Sequence, residues 1–509
     1  MDPIIVEFYQ LLSGSVQTVL RDMEWWQYLI VIADYTLKFI ALGWVPKDRR
    51  PSSAMAWLLA IFLLPFVGLL LYFLMGSPYI NRRRHTIQNR ANELIRTMSA
   101  EEPETPKNMV LSREIQSLVA LNRELTALPP VAGSMVALHS DYRESIKAMA
   151  SAIDKAKYFV NVEMYIAAYD STTAPFFDAM ERAAKRGVDV RFLWDHIGAH
   201  KYPGNKKLGK RLERMGVQYE VMLPLKPWRW RFRRPDLRNH RKLVIVDGTW
   251  AFMGSQNLVE PEYQNKKNHK VGRQWVDVMA EITGPVVSSI NSVFAVDWYT
   301  ESGETLDFMT PGELTAWLED DNSDVGTDVM QVVPSGPGFT TEPNLRLFNS
   351  LIHHAKKSLR IVSPYFIPDE SLLEAVTTAC YRGVTVELYV SEKSDQKMVG
   401  HAQASYYQEL LDAGVKMYLY PAPYVLHSKF LIADEEVAVM GSSNMDMRSF
   451  WLNYECSLMV GDGAMLESLN ELAQDYKDKS TLLTAEEWNT RPWYKQYVDN
   501  LCRLTSALQ

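Results

Sequence analysis

Hydrophobic positions in this chain follow three regimes, and the first is a pair of long apolar runs. From Ala54 to Gly76 (AMAWLLAIFLLPFVGLLLYFLMG) 23 residues pass without a charge. At about 1.5 Å per residue a helix of that length reaches roughly 34 Å, enough for a hydrocarbon core of about 30 Å. Pro65 lies inside the run, where a membrane helix tolerates it, and Trp57 and Tyr72 lie towards its ends. An earlier run, Trp25 to Val45, carries Asp34 and Lys38, spaced i, i+4 so that they neutralise one another on one face. The pattern predicts a transmembrane hairpin within residues 1–80, with spans at about 25–45 and 54–76. The first run has the alternative of lying in the membrane interface.

The second regime is polar. Residues 81–130 read as a linker, with Glu101, Glu102, Pro103, Glu104 and Pro106 as a breaker cluster and Pro129 and Pro130 closing it. The third regime alternates helical and strand periods, and it occurs twice. Tyr158 to Ala167 (YFVNVEMYIA) answers to Leu359 to Pro368 (LRIVSPYFIP), each read as a strand. Asp178 to Leu193 answers to Glu374 to Tyr389, in both cases a helix ending at Arg-Gly before a β-branched strand. Leu212 to Val221 and Leu410 to Leu419 repeat the order of helix, Gly and strand. The expected class is α/β, with helix-covered mixed sheets in two similar domains, 131–327 and 328–509, packed about a pseudo-twofold with the site between them.

Composition changes this picture little. A hydrophobic content of 47% and a charged content of 23% are those of a folded protein. The net charge of −7 offers no global attraction for a polyanion, so a basic site must be local. Cys380, Cys456 and Cys502 are scattered, which fits a reducing compartment and opposes a disulfide scaffold or zinc site. His196 and His200 flank Gly198 without an acidic or Cys partner at useful spacing, so no metal is expected. Asp2, Glu7, Asp22 and Glu24 make the leader unlike a cleaved signal peptide. Arg82, Arg83, Arg84, Arg90 and Arg96 after the second run outnumber Lys47, Arg49 and Arg50 before it, which puts both termini and the bulk of the chain in the cytoplasm.

Within the repeat lies the chemistry. His240, Lys242 and Asp247 form a His-x-Lys-x4-Asp motif, followed by Gly254, Ser255 and Asn257. His427, Lys429, Asp434, Gly441, Ser442 and Asn444 repeat every position 187 residues later. A single such triplet arises by chance in roughly 3% of chains of this length, and two in about one in a thousand. His240 and Lys242 share one side of a strand entering Leu243 to Val246; Asp247 and Gly248 turn it, and the returning strand brings Gly-Ser-x-Asn beside the histidine. Gly254 and Gly441 are expected to let the backbone approach a phosphate. Two histidines and two lysines converging on one phosphate suffice for phosphoryl-group transfer.

These residues resemble the paired motifs of the phospholipase D superfamily over about residues 135–500. The resemblance implies a phosphohistidine intermediate, with one histidine attacking phosphorus and the other moving the proton. By analogy His240 is the attacker. It further implies that Lys242, Lys429, Asn257 and Asn444 hold the phosphate, and that Asp247 and Asp434 hold the motif together. Each histidine needs an acceptor on its far nitrogen; in compact members of the superfamily a Glu eleven residues past the motif Asn supplies it, which the resemblance carries to Glu455, and aligning DVMAEI with ECSLMV offers Asp277 for the first copy. Further stretches, PSSAMAWLL (51–59), FRRPDLRNHRK (232–242), MGSQNLVEP (253–261) and GSSNMDMRSF (441–450), look like the bacterial cardiolipin synthases. That likeness implies joining two phosphatidylglycerols into cardiolipin with release of glycerol, at the bacterial inner membrane and without a cofactor. Glu163 stands in a strand of that pattern whose aromatics are shuffled, leaving its role open.

Before the first motif Trp228, Trp230 and Phe232 alternate with Arg229, Arg231 and Arg233. A strand there presents aromatics on one side and arginines on the other, suited to an anionic phospholipid surface rather than nucleic acid. Trp488, Trp493 and Tyr494 mark a second segment that suits either an interface or a helix docked on the core. Two other functions compete: a membrane-anchored phosphodiesterase that gives the intermediate to water, acting on phospholipid or nucleic acid, and a binding protein with a dead site. Intact motifs oppose the last.

Overall fold

The computed structural model describes residues 24–47, 51–76, 82–99, 111–226, 231–232, 234–307, 309, 311–320 and 325–506. It divides into an N-terminal unit, Met1–Tyr79, and a larger unit, Ile80–Gln509. In the first, helix Trp25–Trp44 is followed by Pro51–Leu63, Pro65–Leu71 and a π-helical turn, Tyr72–Gly76. The continuous helix expected over 54–76 is therefore divided. Pro65 has no N–H to donate and disfavours a helical residue before it, and Leu64 sits at φ −132°, ψ 72°. Among the described residues no helix is long and apolar enough to cross a membrane. The expected pairing of Lys38 with Asp34 is present at 2.6 Å. Trp25, Phe39, Leu63 and Phe66 stand exposed.

In the larger unit the first half contributes β1 (Val131–His139), β2 (Phe159–Met164), β3 (Asp189–Asp195), β4 (Gln218–Met222), β5 (Lys242–Val246), β6 (Trp250–Gly254) and β7 (Met279–Thr283). The second half contributes β8 (Asp328–Ser335), β9 (Ser358–Val362), β10 (Thr385–Ser391), β11 (Lys416–Tyr420), β12 (Phe430–Ala433), β13 (Val437–Gly441), β14 (Asn453–Gly461) and an edge strand β15 (Thr481–Leu483). They lie in one mixed sheet, ordered β15-β11-β10-β9-β12-β13-β14-β8-β1-β7-β6-β5-β2-β3-β4. The two similar domains thus share a sheet, joined where β1 runs antiparallel to β8, Val131 opposite Met330 and Gly133 opposite Asp328. Reading outward from that seam, the equivalent strands follow in the same order on either side, which is the expected twofold relation.

Both faces of the sheet are covered, as the alternating pattern predicts. Neighbouring residues of a strand enter different cores: Val244 packs with Phe176 and Met180, whereas Ile245 joins Ile290 and Phe294. Likewise Leu431 meets Leu372 and Val376, while Ile432 shares the core of Ile245. That central core draws on both halves through helices Val286–Ser302 and Ala464–Lys479. Burying a Leu, Ile or Phe side chain contributes about 1.5–3 kcal/mol, so the shared core binds the halves into one folding unit.

Two readings of the chain are corrected here. Residues 81–130 are more than a linker: helices Arg82–Met98 and Arg113–Thr126 lie within the larger unit, with Ile115, Leu118 and Val119 buried in the second half's core. Their charged outer faces produced the polar pattern, and the Glu/Pro cluster at 101–106 falls outside the described residues. The repeat register also moves. Val160 lies opposite Val246, and Leu359 opposite Ala433, so the equivalent of Val160 is Leu359, two positions from the sequence match. A slip of two leaves the inside–outside alternation of a strand unchanged, and the pattern is blind to it.

Candidate active site

Each motif histidine is delivered by a short pairing with the opposite half. Arg238–Asn239 runs parallel to the start of β14, and Val425–Leu426 runs parallel to Trp275–Val276. The next backbone amides continue the pattern: His240 N–H donates to Tyr454 O at 2.8 Å and His427 N–H to Val276 O at 2.7 Å. The residue after each acceptor is a carboxylate, Glu455 or Asp277, so the carboxylates are exchanged between halves. His240 Nδ1 lies 3.0 Å from Glu455 Oε1 and 3.0 Å from Ser442 O. His427 Nδ1 lies 2.6 Å from Asp277 Oδ1. An acceptor on Nδ1 fixes the proton there and leaves the Nε2 lone pair free.

Ser255 and Ser442 brace those carboxylates. Ser255 Oγ donates to Asp277 at 2.6 Å and Ser442 Oγ to Glu455 at 2.5 Å, while accepting from the Val278 and Cys456 amides. The glycines before them act on the same contact instead of approaching a phosphate. A Cβ on Gly254 would lie 2.2 Å from Val278 O, and one on Gly441 2.3 Å from Cys456 O. Their small size lets β6 and β13 close against the segments that carry Asp277 and Glu455.

The motif aspartates face away from the histidines. Asp247 accepts from the amides of Lys157, Tyr158 and Phe159 at 2.8–2.9 Å, and Asp434 from Lys356, Lys357 and Ser358 at 2.7–2.9 Å. Both adopt positive φ, 53° and 54°, which Asp tolerates better than most residues. They tie the hairpin after each motif to the start of β2 or β9. The asparagines differ. Asn257 bonds Ile166 N and Tyr263 OH, whereas Asn444 donates to Asp446 and leaves a buried Oδ1 without a hydrogen bond among the described residues.

Lys242 and Lys429 are buried, and each donates from Nζ to the carbonyl of its own motif histidine. Burial, aided for Lys242 by the nearby Lys429, lowers them to about 7 and about 8 against the pull of the nearby carboxylates. Burial likewise lowers His240 and His427 to about 4. For Glu455 and Asp277 burial works the other way but is outweighed by the histidine and lysine beside each, leaving both below the usual carboxylate value. At neutral pH the site holds neutral imidazoles, two carboxylates, a Lys242 poised between amine and ammonium, and a Lys429 that is mostly charged. An arriving phosphodiester anion strengthens both lysine charges.

Sequence reading missed Tyr165, whose ring stands edge-on to His240 at 4.9 Å between centroids and 5.4 Å from Lys242 Nζ. Glu163 is brought near but not into the site: it is buried, accepts from Asn239 Nδ2 at 2.9 Å, and is pushed well above its usual pKa by burial and by Asp297. Asp297 pairs with Arg241 and Arg84, and Arg241 Nε donates to Glu455 O at 3.0 Å, so this cluster underpins the His240 segment. Trp228, Arg229, Trp230 and Arg233 lie outside the described residues, and Arg231 is described only as backbone of a short strand, Arg231–Phe232. His196 accepts from Leu225 N at 3.2 Å, its ring 6.0 Å from that of His200. Glu260, Glu262 and His269 bring ligand-type atoms within 4.8 Å of one another, and the group is partly exposed.

One continuous α/β sheet with a twofold-related pair of His/Lys/carboxylate sets is the arrangement of a phosphodiester-transferring enzyme. A family model described as "Cardiolipin synthase, PLD-like domain" matches residues 149–298 and 348–478, and one described as "Phospholipase_D-nuclease N-terminal" matches 36–77. Cardiolipin synthase A of Yersinia pseudotuberculosis is 31% identical over 503 residues, 96% of this chain and 99% of the relative. Cardiolipin synthase A of Yersinia pestis matches to the same extent. Phosphatidylserine synthase of Haemophilus influenzae shares the fold, with a TM-score of 0.58 at 16% identity over 78% of this chain and all of that one. The chain belongs to the cardiolipin synthase family of the phospholipase D superfamily. It is a phosphatidyltransferase, and a membrane-associated one.

Proposed function

We propose that the protein joins two phosphatidylglycerols into cardiolipin and glycerol through a phosphohistidine on His240. His427 takes up a proton at Nε2 as the phosphodiester anion binds beside it; His240 Nε2 then attacks phosphorus, the headgroup oxygen leaves, and His427 gives it that proton, so glycerol departs neutral. His427 then takes the proton from the free headgroup hydroxyl of a second phosphatidylglycerol, whose oxygen attacks phosphorus and frees His240. Lys242 and Lys429 balance the charge on the non-bridging oxygens. The assignment of roles draws on one asymmetry: the 2.6 Å contact of Asp277 favours an imidazolium at His427 more than the 3.0 Å contact of Glu455 does at His240. The observation that carries the reading is the exchange of carboxylates, which leaves two oriented Nε2 atoms in one composite site.

Residues 1–80 anchor the chain as a membrane hairpin with the larger unit on the cytoplasmic side. Support comes from the uncharged run at 54–76 and the exposed apolar side chains of the N-terminal unit. The Trp228–Arg233 segment meets the anionic surface. Purified full-length protein incubated with phosphatidylglycerol vesicles, without divalent metal, tests the reaction by mass spectrometry of the products. Cardiolipin with glycerol is expected. Phosphatidic acid alone would replace this reading with the competing one, a membrane-anchored phosphodiesterase.

A further inference from the structure

Helix Trp493–Arg503, near the end of the chain, is amphipathic in the reverse sense of a globular helix. At about 100° per residue Trp493, Leu504, Tyr497, Leu501, Tyr494 and Val498 fall within an arc of roughly 140°. All six are exposed, Leu504 at 81% and Trp493 at 76%. The polar side does the docking: Asp499 is buried against His401 at 2.7 Å and Arg491, and Cys502 packs on the second half's core. Trp488, just before, is likewise tied to the body, its ring tilted against Tyr407 and covered by Arg491. A stripe of this size facing outward requires a partner.

We infer that this stripe, with the helix it packs on, is a docking surface for the phospholipid bilayer around the mouth of the catalytic site. Three observations favour lipid over another protein. Trp and Tyr make up half of the stripe, the composition of a membrane interface, and Lys495 is exposed at its edge. The stripe's helix packs on Lys397–Ala404, which presents exposed Met398 and Lys397. That second helix begins two residues after Asp395, which accepts from the Tyr365 hydroxyl at 2.8 Å; the Tyr365 carbonyl accepts from Ser363 Oγ, which in turn accepts from the amide of Met445, next to Asn444, so the surface is tied to the rim of the site. A lipid phosphate has to pass from the bilayer to buried His240 and His427 through that rim.

The inference rests on the lipid-substrate reading, and its test separates the two. In full-length protein with Cys380 and Cys502 changed to Ser, an environment-sensitive fluorophore is placed at Leu504→Cys or at Gln496→Cys, which is exposed but outside the apolar arc. After reconstitution in phosphatidylglycerol vesicles, lipids brominated on the acyl chains should quench position 504 at least about threefold more than position 496. This measurement needs no turnover, so a wild-type enzyme that makes no cardiolipin would sink the reaction and leave docking intact. Equal quenching at both positions overturns docking, as does energy transfer between labels on separate copies without quenching by lipid. In the variant Tyr497→Asp with Leu501→Asp, the surface KM for vesicle phosphatidylglycerol should rise about tenfold, with kcat and turnover of a water-soluble short-chain phosphatidylglycerol unchanged. An unchanged vesicle KM, or equal loss on both substrates, also refutes it.

Discussion

Replacing Asp277 with Asn removes the charge facing His427 and almost nothing else. The side chains meet at 2.6 Å in a fully buried setting, and the second oxygen of Asp277 makes no hydrogen bond among the described residues, so no neighbour compensates. Opposite unit charges about 4 Å apart attract by about 4 kcal/mol at an effective dielectric of about 20. That attraction operates while His427 carries the proton bound for glycerol. An Asn oxygen still accepts from Nδ1 and retains part of it, leaving a loss of about 3–4 kcal/mol, or 10²–10³-fold in kcat. KM should change by less than about threefold, because Asp277 faces the ring and not the phosphate. Release of glycerol from phosphatidylglycerol in mixed micelles measures both constants, and thermal unfolding verifies the fold. An Asp277→Asn enzyme with kcat within about threefold of wild type would refute the orienting role.

Other expectations follow from the same geometry. The profile of kcat/KM against pH should fall from pH 6 to 9, because His427, held near 4, has to take up a proton to act as the acid and because Lys242 and Lys429 lose theirs near 7 and 8; a flat profile across that range contradicts this. Because both lysines are depressed in the folded state, the unfolded chain binds more protons between about 7 and 10.5, so the empty enzyme should melt higher as pH rises through that window. Lys242→Met should abolish turnover, flatten that slope and raise the melting temperature at pH 7 by a few degrees. Asp247→Ala strands three backbone amides and should destabilise by about 2–3 kcal/mol in urea titrations, with no change expected if the aspartate were a surface charge. Gly254→Ala should reduce kcat more than tenfold by forcing Ser255 and Asp277 apart, visible as a changed Nδ1 proton resonance of His427.

Several parts of this arrangement were legible in the sequence. The two motifs and the α/β repeat follow from residues held at fixed distances along strands, whereas Glu455 came from the superfamily resemblance and Asp277 from aligning the strand that follows an insertion. What escaped depends on contacts too short to leave a period. Two-residue pairings, Arg238–Asn239 and Val425–Leu426, decide which histidine each carboxylate serves, and no window of sequence that small carries a signal. Tyr165 was hidden by its neighbourhood, a strand end where aromatic order is shuffled. The two-residue slip at β2 and β9 was invisible because alternation repeats every two residues. Gly254 and Gly441 were read as making room for substrate, when they make room for a neighbouring strand. Pro65 was visible, but its effect depends on surroundings: lipid tolerates a proline that here divides the helix.

The exchanged carboxylates have a consequence for how activity appears during synthesis. The first half, on leaving the ribosome, carries His240 and Lys242 but not the group that sets the tautomer of His240; Glu455 arrives some two hundred residues later. A nascent or clipped fragment therefore holds an unaligned imidazole, whatever its own folding. On the proposed mechanism, catalytic competence waits for Arg238–Asn239 to pair with β14. A chain able to break phosphodiesters beside a membrane is thereby silent until it is whole, and the two halves are bound to change together, since a substitution at either carboxylate disables the histidine of its twin.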